Sequence, residues 1–157
     1  MKNNLTGPCL IINNQDFDIQ EGTLSTRTGA KVDDDRFEKL FKKLNFEILK
    51  NKILSNRTKN QIMKEDLKEF IDEIKKNEEK YDALVLIIMT HGKSGDQLYG
   101  SDYKIFKVTL WFFNLNSFIL ILKAFSQLDD VLKKFDNVLP HKPHKEFNFR
   151  ILIWLLK

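Results

Sequence analysis

From Tyr81 to Gly92 the chain reads Tyr-Asp-Ala-Leu-Val-Leu-Ile-Ile-Met-Thr-His-Gly, and the five successive large aliphatics from Leu84 to Ile88 leave no polar face. A strand of that kind must be covered on both sides, as in the middle of a parallel sheet. A buried helix could carry the same run. Its length of about eight residues, its β-branched content and the Thr90-His91-Gly92 stop favour a strand. Ligands of open α/β sheets lie beyond the carboxyl ends of the strands, so His91 is a candidate site residue.

The preceding chain alternates elements. Pro8-Cys9-Leu10-Ile11-Ile12, closed by Asn13-Asn14, reads as a first central strand with Cys9 as a small buried residue. Phe17 to Ala30 is a long loop rich in Gly, Ser, Thr and acidic residues, with Arg27 as its only cation. A helix is expected from Asp33, because Phe37, Leu40, Phe41 and Leu44 recur at helical spacing and Asp33, Asp34 and Asp35 suit its positive end. Glu47-Ile48-Leu49 follows as a short second strand. A second helix is expected from Thr58 as cap, with Ile62, Leu67, Phe70, Ile71 and Ile74 as its buried stripe. Strand, helix, strand, helix, strand predicts a mostly parallel α/β sheet with right-handed crossovers.

At 157 residues the chain has the length of one domain. Its net charge of +4 is scattered through mixed-sign segments, whereas a nucleic-acid footprint is clustered; no nucleic acid is expected as a partner. Cys9 is the only cysteine, so neither an intrachain disulfide nor a cysteine zinc site can form. With no signal-peptide pattern at the start, a cytoplasmic location is expected.

After Gly92 the pattern weakens. Lys93 to Asp102 reads as a short hairpin bent at glycines. Residues 108–122 form an aromatic and aliphatic block, too short for a spanning helix of about 20 residues and with too thin a polar face for an interfacial anchor. No membrane partner is expected. Leu128, Val131, Leu132 and Phe135 form a further helical stripe.

Pro8 to Asn14, Arg27-Thr28-Gly29 with Asp33 close behind, Phe41 to Phe46, and Thr90-His91-Gly92 followed by Leu98-Tyr99-Gly100 resemble the large-subunit region of the caspases, in the same order and at similar spacing. The resemblance runs through about residue 106. It implies a caspase-like, mostly parallel sheet flanked by helices, incomplete on its C-terminal side. It also implies a cysteine endopeptidase that cuts protein or peptide substrates after aspartate, with apoptotic signalling as the associated process and a caspase-like dimer partner. No metal or organic cofactor is implied.

On that resemblance His91 is the general acid/base, an imidazole able to take and give a proton near neutral pH. Gly92 supplies a backbone N–H to the oxyanion. Arg27 is one of the cations that clamp the substrate's aspartate carboxylate, for which a planar fork is suited. The nucleophile is the departure. The family places it in Gln-Ala-Cys-x-Gly about 50 residues after the histidine, and no cysteine follows Cys9.

Four segments are therefore expected: residues 1–107 as a caspase-like large-subunit region, 108–122 as an apolar insertion, 123–143 as a caspase-like helix and approach to the nucleophile strand, and 144–157 as a tail unlike the family. Such a chain reads as an incomplete large subunit without activity, with an unpaired sheet edge that invites association. A non-catalytic homologue acting as an interaction partner is the alternative, and an unrelated α/β binding domain is the third reading.

Overall fold

A computed structural model describes residues 6–18, 24–93, 97–107 and 148–155. In chain order the elements are β1 (Gly7–Asn13), α1 (Ala30–Lys43), β2 (Phe46–Ile48), β3 (Leu54–Ser55), α2 (Leu67–Lys76), β4 (Ala83–Thr90), β5 (Gln97–Tyr99), β6 (Ile105–Lys107) and β7 (Asn148–Leu155). The main sheet runs β2-β1-β4-β7, with β3 pairing the same edge of β1 beyond β2. β1 is parallel to β2, β3 and β4, and β7 is antiparallel to β4.

All seven residues of β1 and all eight of β4 are buried, as the apolar runs Cys9–Ile12 and Ala83–Met89 require, with Asn13 and Thr90 as the buried polar ends. Alternate residues serve two cores. Cys9, Ile11, Val85, Ile87 and Met89 pack with Phe37 and Phe41 of α1, while Leu10, Ile12, Leu86 and Ile88 pack with Leu67, Phe70 and Ile74 of α2. Burial pushes the Cys9 thiol well above its ordinary range, which leaves it an inert core group.

The two central strands approach closely at Gly7. A Cβ added to Gly7 would lie 1.7 Å from the Ala83 carbonyl oxygen, so only glycine lets the backbones approach. Gly7→Ala should cost about 3 kcal/mol, at the upper end of ordinary overpacking. Urea denaturation followed by circular dichroism measures the loss, and unchanged stability would mean that the strands can separate here at no cost.

Several boundaries differ from the sequence reading. α1 begins at Ala30, three residues before the expected Asp33, because Gly29 adopts a left-handed φ of 93° and turns the chain into the helix. Thr58 and Gln61 form a reciprocal capping box, with Thr58 Oγ1 accepting from the Gln61 N–H and Gln61 Oε1 from the Thr58 N–H. A π-helical turn, Gln61–Asp66, then precedes α2. Ile62 and Leu67 are five residues apart, too far for one α-helical face, and the wider turn sets both into the same core. The second strand ends at Ile48, and β3 follows a 3₁₀ turn that uses left-handed Lys50 and Asn51.

The hairpin is displaced. β5 pairs with β6 across a bend at Gly100–Tyr103, and Gly92 bridges Leu98 on the other side. β4 does not end the sheet: β7 pairs with it along all eight residues, covering the edge expected to be open. The apolar block 108–122, the stripe 128–135 and the approach 139–143 lie outside the described residues.

Candidate active site

The parallel strands β1 and β4 end side by side, so Asn13, Asn14, Thr90 and His91 gather at one carboxyl rim. Each is buried: Asn13 is 1% exposed, Asn14 and Thr90 0%, and His91 6%. Such a crowd of buried polar groups is stable only if its hydrogen bonds are made. The Thr90 hydroxyl donates to the Tyr99 carbonyl at 2.7 Å, and the Tyr99 N–H donates to the His91 carbonyl at 3.0 Å. These bonds tie the rim to the β5–β6 hairpin.

His91 Nε2 lies 2.7 Å from the Ser25 carbonyl oxygen. A carbonyl can only accept, so Nε2 carries the proton and Nδ1 is the basic atom of the neutral ring. The Phe17 ring packs on the imidazole with centroids 4.8 Å apart. Gly92 forms an antiparallel bridge with Leu98, flanked by bonds from the Lys93 N–H to the Gln97 carbonyl and from the Tyr99 N–H to the His91 carbonyl. Those flanking bonds make Gly92 and Leu98 a non-hydrogen-bonded pair, so the Gly92 N–H is directed away from β5. An imidazole with a fixed tautomer and an adjacent outward N–H can move a proton and bind a developing negative charge.

Arg27 is 5% exposed. Its Nη1 donates to Asn13 Oδ1, to the Asn14 carbonyl at 2.9 Å and to the Met89 carbonyl at 3.3 Å. Its Nη2 stands 3.9 Å from Asp33 Oδ2. The guanidinium therefore braces the ends of both central strands, and it holds the loop whose Ser25 carbonyl meets His91. Met89 faces the α1 core and His91 follows two residues later, so Arg27 and His91 share one end and one side of the sheet.

Burial lowers the Arg27 guanidinium from its ordinary range, with Asp33 and Asp34 opposing the shift. Burial raises the carboxyls of Asp33, against the pull of Arg27, and of Asp34, against the hydrogen bond from Asn13 Nδ2 at 2.6 Å. A raised carboxyl favours the folded state while protonated. That contribution is complete below the ordinary value of 3.8 and is lost as pH rises through the higher folded values. In urea midpoints stepped upward from pH 3, the double variant Asp33→Asn, Asp34→Asn should lose less stability across that window than the parent chain. Parallel pH curves would show that the two carboxyls do not couple to folding.

Sequence reasoning placed His91, Gly92 and Arg27 in the chain, and the fold brings all three to this rim. It missed Ser25, whose part is played by a backbone carbonyl and so has no side-chain signal. It also missed Phe17, visible only as an apolar residue at the start of a polar loop. Among the described residues no group of three or more His, Cys, Asp or Glu could hold a metal ion, and no helix is long and apolar enough to cross a membrane.

Residues 6–138 match the family described as Caspase domain. The chain is 32% identical to mouse Caspase-3 over 97 residues, covering 61% of this chain and 31% of that protein. It is 36% identical to mouse Caspase-8 over 121 residues, covering 71% of this chain and 24% of that protein. Against these curated relatives the chain spans a third of their length or less. The solved structure of pro-Sf-caspase-1 superposes with a TM-score of 0.51 at 22% identity, over 72% of this chain and 43% of that one, a likeness of fold.

Proposed function

This chain belongs to the caspase family, and from that premise we propose that it carries the acid/base half of a cysteine endopeptidase site that cuts protein substrates after aspartate. The observation that supports this best is His91 itself, seated beyond the carboxyl end of β4 with Nε2 bonded to the Ser25 carbonyl. Nδ1 would then exchange the proton with a thiol and with the leaving amine. Gly92 N–H would donate to the oxyanion, and Arg27, at the same rim, would bind the substrate's aspartate carboxylate.

The nucleophile is not among these 157 residues, since Cys9, the only cysteine, is 0% exposed inside β1. On this reading residues 1–107 and 123–143 are family sequence, 108–122 and 144–157 depart from it, and the chain alone is inactive. The protein works in the cytoplasm, in cell-death signalling, and pairs with a caspase-like partner. The test is an aspartate-containing fluorogenic peptide given to the purified chain: no turnover is expected. Turnover that disappears in His91→Ala would overturn the half-site reading by showing that a nucleophile is present.

One observation favours a second reading, a non-catalytic homologue acting through binding. The edge of β4 opposite β1 is filled by β7, an antiparallel strand that carries no cysteine. A full-length caspase relative captured by the intact chain, with its cleavage of the aspartate peptide unaltered by His91→Ala in this chain, would support that reading over the first.

A further inference from the structure

A hydrogen bond to one ring nitrogen fixes a point on an imidazole but not its plane. We propose that Phe17 is the positioning residue that fixes the plane of His91, keeping the ring in the Nε2–H tautomer that Ser25 accepts, with Tyr103 as the buttress behind Phe17. The inference rests on the reading of His91 as the acid/base group and deepens it.

Phe17 lies over the imidazole at 4.8 Å between centroids and 48° between planes, and it is 7% exposed. Its neighbours in the chain are pinned. The N–H groups of Gln15 and Asp16 both donate to Asn56 Oδ1 at 2.9 Å, and the Asp18 N–H donates to the Ser101 carbonyl at 2.9 Å. The backbone that carries the ring is therefore held in place on both sides of Phe17.

Tyr103 stands edge-on to Phe17 at 6.4 Å, and the Tyr99 ring packs on Tyr103 at 6.0 Å. The Tyr99 N–H returns to the His91 carbonyl, so His91, Phe17, Tyr103 and Tyr99 form a closed circuit of contacts. Tyr103 takes its place at a φ of 61°, a left-handed conformation that a bulky side chain rarely adopts. Such a conformation persists only where the surroundings over-determine it, and these conformations cluster at functional sites. Here the strained residue is the one that backs the ring against the histidine.

A core filler would make a different prediction, because leucine can fill most of the same space. The test uses the full chain labelled with ¹⁵N, reading the ring nitrogens of His91 in alkaline buffer and assigning them by their loss in His91→Gln. The parent chain should show one protonated and one pyridine-like nitrogen, with Nε2 protonated. In Phe17→Leu the minor Nδ1–H tautomer should rise about fivefold, the size of effect expected for losing one aromatic contact. Tyr103→Gly, which accepts the left-handed backbone, should move the tautomer in the same direction by a smaller factor.

An unchanged tautomer in a folded Phe17→Leu would overturn the proposal. If that variant does not fold, an unchanged tautomer in Tyr103→Gly would do so. Neither readout depends on peptide cleavage. Expected tautomers together with peptide turnover by the purified chain that survives His91→Ala would sink the functional reading and leave this one standing.

Discussion

Asp66→Ala should lower the stability of the folded chain by about 3–5 kcal/mol, the loss typical of breaking a buried ion pair from one side. Asp66 is 0% exposed. Its two carboxylate oxygens accept from Arg57 Nε and Nη2, both at 2.9 Å, in a bidentate pair that raises the guanidinium above its usual range. The neighbouring Glu65 reaches Nη2 at 3.3 Å from an exposed position and cannot replace it. With alanine at 66 the cavity left in the core would be unfilled and the guanidinium would keep only the exposed Glu65 as an anionic partner.

The damage should spread to the rim, because Arg57 holds it through its backbone. The Arg57 N–H donates to Asn14 Oδ1 at 2.7 Å, and its carbonyl accepts from Asn14 Nδ2 at 3.0 Å and from the Ser101 N–H at 2.9 Å. Asn14 in turn offers its carbonyl to Arg27. Asp66→Asn keeps one hydrogen bond from the guanidinium, now to a neutral acceptor, and should lose about half as much. Urea melts with an unchanged m-value measure both. A loss below about 1 kcal/mol in the alanine variant would show that the pair behaves as a surface salt bridge.

Much of this architecture was legible because burial forces a pattern. The middle of a strand covered on both faces is kept apolar, and Leu84 to Ile88 and Leu10 to Ile12 show that directly, with the buried polar residues Asn13 and Thr90 only at the strand ends. His91 at the end of such a strand was legible for the same reason. What sequence could not show were interactions made by backbone atoms and by conformation. The Ser25 carbonyl that sets the His91 tautomer leaves no trace in residue identity. The early start of α1 depends on Gly29 at positive φ, which a glycine permits but does not announce. The π-helical turn does leave a mark, the five-residue gap between Ile62 and Leu67, which breaks the spacing of an otherwise regular helical stripe.

The Arg27 environment is a different case, since residue type alone suggests a solvated cation. The fold draws it inward instead, because Asn13, Asn14 and Met89 present acceptors at the strand ends that a fork-shaped donor can satisfy together. Its nearness to His91 follows from topology. Two parallel strands in register must end at the same rim.

Proline placed in β7 should turn a covered sheet edge into an associating one. β4 is apolar along almost its whole length, and with β7 displaced its outward N–H and C=O groups would face solvent as a ready template for another chain. In an antiparallel pair the N–H groups of successive residues point to opposite sides. Of the adjacent positions Ile151 and Leu152, which face Ile87 and Leu86, one therefore donates toward β4 and the other away from it. Proline at the first kind removes a ladder bond and leaves its acceptor unpaired, a cost of about 1–3 kcal/mol; proline at the second should cost far less. Sedimentation velocity on Ile151→Pro and Leu152→Pro should then show one variant shifted to dimers or larger species and the other close to the parent chain. If both variants sediment like the parent, β7 is not what protects β4, and the reading that sets this strand in place of a nucleophile-bearing one loses its support.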